Sequence, residues 1–426
     1  MKRKQHRSLQ LSDFNFFGIL NLTKRNGLGI CKMDLSKKTI PELVALCKER
    51  QVKGYSGKSK GALLQLLAAA TATTSNPAPA PANEVIIPPD SKEQGVKGFP
   101  SFIEVCSGCG GLSSGLINAG FEPLLLNEIN KTFCQTLKDN HPGVPIENCD
   151  MLKLNLTKYK GKVDLLTGGV PCQAYSQAGE RKGLEDPRGQ LIVEFNRLVN
   201  ECEPRVLMVE NVKGLITHNG GATLESVLKL FANDGRYKVQ YQVLNAKDYE
   251  VPQKRERIFI VGIRSDVSST PFTYPEKSKK AVVLRDVLID VPPSIGAKYT
   301  EEKAAVMAQV PPGGCWVDLP EAVKVAYMGA KSLEAGGGKR GMARRLSMDE
   351  ACLTLTTSPC QKQTERCHPK ETRPLTVREY ARIQTFPDTY SFSGGMANQY
   401  KQIGNAVPVK LAWAMGKQIL NYLTNK

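Results

Sequence analysis

Cys172, Glu210 and Arg257 are the residues whose types and settings best support chemistry in this chain. Cys172 lies in Gly168-Gly169-Val170-Pro171-Cys172-Gln173, just after an apolar run from Val163 to Leu166. Glu210 opens Glu210-Asn211-Val212, after a second strand-like run from Arg205 to Val209. Arg257 closes Gln253-Lys254-Arg255-Glu256-Arg257, which leads into a third such run. A thiolate is a strong nucleophile, but a free cysteine has a pKa of about 8.5 and needs activation. A carboxyl group that keeps its proton can act as a general acid. Guanidinium groups hold planar acceptors and phosphates. These types together suit covalent catalysis with acid assistance.

A second constellation points to a ligand. Cys106-Ser107-Gly108-Cys109-Gly110-Gly111 follows a short apolar strand, Ser101 to Val105, and opens a helical stretch, Leu112 to Ala119. Glu128 follows about 20 residues on, just past a strand at Leu124 to Leu126. Glycines let a backbone approach a nucleotide, and an acid can hold its ribose. NAD, S-adenosylmethionine (SAM) and a plain packing turn all satisfy this pattern alone. Cys106 and Cys109 have redox-motif spacing, but the glycine turn explains it otherwise. The twelve cysteines are scattered and read as reduced core thiols. Cys352, Cys360, Cys367 and His368 do not match paired zinc-ligand spacing, so no metal is expected.

The elements that must position these groups alternate. Further strands are expected at Val239 to Leu244 and Ile258 to Ile263, with helices near 190–199 and 222–232. Such alternation indicates a parallel sheet covered on both faces, with ligands at the carboxyl ends of its strands. The 426 residues are 41% apolar, enough for a sizeable core. No run approaches the roughly 18 apolar residues of a membrane helix. The basic start lacks a cleavage site, so a secretory signal is rejected. An intracellular protein in a reducing compartment is expected, bacterial cytoplasm or, for a eukaryotic or viral source, the nucleus. The net charge of +17 suggests a polyanion partner. Residues 1–60 carry +10 of it.

Residues 68–98 form an Ala/Pro/Thr-rich run without period, which reads as a linker. Before it, Thr39-Ile40-Pro41-Glu42 is a capping-box signature. Leu43, Leu46 and Cys47 then recur at helical spacing, and a second helix follows with Leu63, Leu64, Leu66 and Leu67. Lys53, Lys58 and Lys60 sit at the break between them. The pattern resembles a SAP domain, a helix-extended-helix DNA-binding module.

The large segment resembles the DNA cytosine-5 methyltransferases of bacterial and viral modification type. FIEVCSGCGGLSSGLINAGF, GGVPCQAYSQAG, EDPRGQL, ENVKGL, QKRERIFIVG, RPLTVREYARIQTFPD and QIGNAVPVKLAWAM follow that family's motif order. The resemblance implies an α/β fold. Its doubly wound, mostly parallel SAM-dependent (Rossmann-like) sheet would carry an inserted target-recognition domain, beside the small helical module. The expected divisions are 33–70 for the SAP-like module, 71–99 linker, 100–263 catalytic core, 264–372 recognition region and 373–426 completing the core. Lys339, Arg340, Arg344 and Arg345 lie near one end of the recognition region. Arginine reads guanine well in the major groove, but the sequence does not assign the base contacts.

Activity is implied by the same resemblance. Cys172 would add to C6 of cytosine so that C5 can take a methyl group from SAM. Glu210, held protonated, would donate to N3; Arg257 would hold O2 and Arg255 a phosphate. The base must leave the duplex, because its target atom is shielded there. Residues 174–190, with Arg181 and Arg188, read as a mobile loop over DNA, and Gln173 as a DNA contact. The family's cofactor positions carry over to Cys106, Gly108, Gly110, Gly111, Glu128, Ile129, Asp150, Met151, Leu191, Asn405 and Val407. The family often has Phe at 106 and an aromatic residue at 129, so looser adenine packing is expected here. Duplex DNA is the expected partner of a monomer, and the resemblance leaves room for a cognate restriction endonuclease acting on the same site. The alternatives are a tRNA cytosine-5 methyltransferase, a non-catalytic DNA-binding scaffold and a NAD oxidoreductase. The first lacks its Cys-Phe-Thr signature here, the second is opposed by the retained Cys172, Glu210 and Arg257, and the third has no hydride-transfer constellation.

Overall fold

The computed structural model describes residues 39–49, 56–57, 59–64, 67, 98–170, 190–268, 270–329, 333 and 341–424. The chain divides into two compact units, Met1–Pro89 and Asp90–Lys426.

In the first unit a helix spans Ile40–Glu49. The Glu42 carboxylate reaches back to accept from the Thr39 backbone N–H at 2.7 Å, which satisfies an orphan donor near the helix start. Leu43 and Cys47 bury against Leu63 and Leu67 from the second helical stretch. Among the described residues of this unit, these four buried apolar side chains form the core.

The second unit is built on a seven-stranded sheet of order β3-β2-β1-β4-β5-β8-β6. Its strands are β1 (Ser101–Val105), β2 (Glu122–Asn127), β3 (Ile146–Glu147), β4 (Leu165–Gly168), β5 (Val206–Val212), β6 (Tyr237–Asn245) and β8 (Glu256–Arg264). Pairings from β3 through β5 are parallel, and β8 runs antiparallel to both β5 and β6. Strand order reverses between β1 and β4, which opens a crevice at their carboxyl ends.

Alternation sorts the strand residues onto two faces. Ile103, Val105, Leu166, Leu207, Val209, Ile258 and Ile260 bury under helices Gln190–Cys202 and Ala222–Ala232. Phe102, Leu165, Val206, Met208, Phe259 and Val261 bury on the other face with the helices Gly111–Ala119 and Val409–Thr424. Those two helices approach closely because small residues line the seam. A Cβ on Gly115 would collide with Ala412, and one on Gly416 would lie 2.7 Å from the Ala119 Cβ. So the last helix of the chain backs the first ligand-binding turn.

The described residues of the region from 264 to 372 hold few regular elements, among them helices Glu301–Ala308 and Glu321–Met328. Met307, Val310, Trp316, Leu319 and Met328 give it a small core of its own. It returns to the sheet unit through β9 (Cys352–Leu353), which pairs in parallel with β7 (Gln253–Lys254). Among the described residues no helix is long and apolar enough to cross a membrane.

Candidate active site

A cleft of about 900 Å³ opens at the carboxyl ends of β1, β4 and β5. One half is built by the glycine turn. Cys106, Gly108 and Gly110 all have positive φ, at 53, 58 and 84°. Glycine adopts that region freely, whereas Cys106 is held there at a cost of about 1–2 kcal/mol. The Ser107 N–H donates to the Asn127 carbonyl at 2.9 Å, which ties the turn to β2. Glu128 accepts from the Gly108 N–H at 2.9 Å and the Asn130 N–H at 2.8 Å. Burial raises its pKa despite these donors. Two of its roughly four lone-pair sites remain for a ligand hydroxyl. Burial, with Glu128 and Glu104 nearby, pushes the Cys106 thiol up to about 12, so it is no nucleophile.

The other cofactor positions meet at the same cleft. Asp150 caps a short turn by accepting from the Leu152 N–H at 3.1 Å, and Met151 is buried beside it. Leu191, Asn405 and Val407 line the cleft from the helix Gln190–Cys202 and the C-terminal segment. Ile129 also lines it but is 64% exposed, so one wall is open where an aromatic ring would cover it. Glycines that admit a close ligand, three carboxyl groups and the apolar side chains of Met151, Leu191 and Val407 suit a cationic ligand that bears a ribose.

The second half holds the polar pair. Arg257 Nε lies 2.9 Å from Glu210 Oε1, and both side chains are largely buried. The pairing follows from the antiparallel register. Glu210 faces Phe259, so Arg257, two residues along, is its diagonal neighbour on one face. Gly169 leaves β4 beside this pair; a Cβ there would sit 3.5 Å from Glu210 Oε2. The Asn211 amide donates to the Val170 carbonyl at 3.2 Å and so fixes the backbone two residues before Cys172.

Arg255 differs from its expected role as a phosphate contact. It is 2% exposed and its guanidinium donates to the carbonyls of Leu355, Gly404 and Asn405 at 3.0 to 3.3 Å. Burial and the neighbouring Arg257 lower its pKa. It lies between β7 and β8 at the wall of the cleft, where the carbonyls of the 355 and 404–405 segments take up its donors. Arg345 is likewise scaffold: buried, it donates to Val310, His368, Glu371 and Met307 carbonyls and to Thr372. Lys60 is exposed on the N-terminal unit. Cys172, Gln173, Arg181, Arg188, Lys53, Lys58, Lys339 and Arg340 lie outside the described residues.

Four supporting residues were not singled out from sequence. Glu104, at 2% exposed, lines the cleft under the turn and accepts from the Ser113 hydroxyl. A charged residue inside the apolar run SFIEV was the available signal. Tyr390 Oη donates to the Cys109 carbonyl at 2.6 Å and stands 3.3 Å from His141 Nε2. The Gln253 side-chain N–H donates to the Gln384 side-chain oxygen at 2.7 Å, and both residues are fully buried. Gln384 also donates to the Ile403 and Ala406 carbonyls, so three distant motifs meet there.

Comparisons with known proteins show the family of the chain. The family model described as C-5 cytosine-specific DNA methylase matches residues 100–421. The Type II methyltransferase M.Eco47II of Escherichia coli is 50% identical over 329 residues, covering 75% of this chain and 79% of the relative. The Type II methyltransferase M.Sau96I of Staphylococcus aureus is 51% identical, covering 75% of each. Among solved structures, the Entamoeba histolytica methyltransferase EhMeth superposes with a TM-score of 0.56 at 15% identity, over 77% of this chain and 99% of that one. A Spodoptera frugiperda DNMT2 variant gives 0.53 at 16%, over 75% and 99%. The two structures share the fold. The chain belongs to the C-5 cytosine-specific DNA methylases, enzymes that move a methyl group from SAM to C5 of cytosine in DNA.

Proposed function

We propose that this enzyme acts on a flipped cytosine in a specific duplex sequence, with Cys172 as nucleophile and Glu210, Arg257 and the glycine turn in support. The observation that carries the reading is the Glu210–Arg257 pair at the strand ends, beside Gly169 and the loop that leads to Cys172.

When bound, SAM supplies an electrophilic methyl group on a sulfonium. The turn from Cys106 to Gly111 and the Glu128 carboxylate would hold its ribose and tail, and Asp150 with Met151 its adenine. C5 of cytosine is too weak a nucleophile to take that methyl unaided. The Cys172 thiolate forms a bond to C6, and the ring electrons move toward N3 and C5. Glu210 delivers a proton at N3, which must reach it with or before the base. Arg257 shares its guanidinium between Glu210 and the O2 of the base. After transfer, a base removes the C5 proton, the Cys172–C6 bond breaks to restore the thiolate and the aromatic ring, and the N3 proton returns to Glu210. Water can take that proton.

The N-terminal unit serves as a SAP-like tether for the DNA backbone. Its small core, its exposed Lys60 and the local charge of +10 support that role. The Type II names of the relatives support a DNA-modifying enzyme of a bacterial cytoplasm, working opposite a cognate restriction endonuclease.

The test is Cys172→Ala in the full chain. Methyl transfer should vanish while SAM binding persists; a fully active variant would refute the covalent route. Deleting residues 1–70 should weaken DNA binding and its salt dependence without changing the methylated sequence. A changed sequence would make the module a reader.

A further inference from the structure

We infer that the turn Gln361-Lys362-Gln363 reads a purine edge in the major groove beside the target cytosine. The inference rests on duplex DNA being the substrate.

The turn sits on a fixed mount. The chain leaves the active-site cleft at Thr356 and Thr357, which line it together with Glu210 and Arg257. Thr356 is pinned to the C-terminal segment, because a Cβ on Gly404 would collide with its carbonyl. The loop then closes on itself. Thr356 and Thr364 hydroxyls lie 3.3 Å apart, and the Arg366 N–H donates to the Pro359 carbonyl at 3.1 Å. The buried Arg366 guanidinium donates to the Thr354 carbonyl at 2.8 Å, and the Glu365 N–H to the Gly341 carbonyl at 3.1 Å. Pro359, Glu365, Arg366 and Cys367 are buried around it.

Between those anchors, three consecutive residues are exposed: Gln361, Lys362 and Gln363. The Thr364 N–H donates to the Gln361 carbonyl at 2.9 Å, which sets their single helical turn. Lys362 Nζ rests 5.1 Å from the centre of the Tyr327 ring and 3.4 Å from the Tyr327 carbonyl. That contact holds the long side chain before DNA arrives, which lowers the entropy lost on binding. Lysine donates to guanine O6 and N7, and glutamine pairs with adenine N6 and N7. Arg345 is committed to carbonyls, which removes one of the arginines that the sequence offered as a reader.

The test uses the full chain, duplexes randomised around one cytosine, and single-base mapping of 5-methylcytosine. Lys362→Met should relax discrimination at one guanine position by roughly 10- to 100-fold. Lys362→Arg, which keeps guanine donors, should retain the preference. Gln363→Leu should relax a neighbouring position. If Lys362→Met lowers methylation equally at every sequence, or leaves the preference intact, the inference is overturned. The unaltered chain runs in parallel and must mark one sequence. Failure there would refute the DNA substrate itself, separately from the role of the turn.

Discussion

Glu210 and Arg257 belong to adjacent antiparallel strands and meet as diagonal neighbours, with Arg257 Nε 2.9 Å from Glu210 Oε1. The pair forms from register alone, before any ligand is present. Glu210→Gln keeps the shape of the side chain and removes the proton carrier. We expect kcat to fall by about 10²- to 10⁴-fold, with SAM affinity nearly unchanged. Single-turnover methylation together with SAM titration checks this. An unimpaired rate would remove Glu210 from the chemistry.

Arg255 separates structure from DNA contact. Arg255→Met strips three carbonyls of their donor in a buried site. Stability should drop by about 3 kcal/mol or more. The salt slope of DNA binding should not move, whereas loss of a phosphate contact would lower it by about one. Denaturant unfolding and binding at several salt concentrations decide between the two.

Tyr390 should act on the cofactor turn. Its hydroxyl donates to the Cys109 carbonyl between two left-handed glycines. Tyr390→Phe removes one hydrogen bond, worth about 0.5–1.5 kcal/mol. The KM for SAM should rise roughly 2- to 10-fold while kcat stays within a factor of two. Steady-state kinetics with SAM varied measure it, and an equal fall in kcat would contradict a purely positioning role.

Buried titratable groups should shape stability against pH. Burial pushes the Glu104 carboxyl up to about 8 from 4.5. Its contribution is full below the unfolded value and is lost as pH rises through 4.5 toward 8. His141 works in the opposite sense, because burial lowers its pKa from 6.5 to about 4. Its contribution is present above 6.5 and is lost as pH falls toward 4. Glu104→Gln should therefore flatten the decline of Tm on the alkaline side, and His141→Gln the decline on the acid side. Thermal melts across that range test each slope; parallel curves for variant and parent would refute them.

The strands of the core were legible because a sheet buried on both faces needs short apolar runs. Ser101–Val105 matches its run, and the helix Ala222–Ala232 matches its 3.6-residue period. The antiparallel turn of β8 was not legible, since pairing direction leaves no mark on a buried run. Site residues divided by a similar rule. Glu128 and Arg257 stood at strand ends, where position and type agree. Arg255 does not divide so simply: the QKRER run names two arginines, and only the fold brings the carbonyls of Leu355, Gly404 and Asn405 to one of them. Tyr390 and Gln384 act across 281 and 131 residues of chain, and no local pattern announces such a bond.

The bond from Tyr390 to Cys109 spans 281 residues of chain. At synthesis rates of about 5–20 residues per second, the glycine turn would wait roughly 15 to 60 s for its partner. The helix Val409–Thr424, which seats against Gly115, comes later still. A nascent chain therefore has no finished pocket for its cofactor, and a prematurely ended one has none at all. The first motif is made early but becomes useful last, so the ribosome releases a methylase that is either complete or silent.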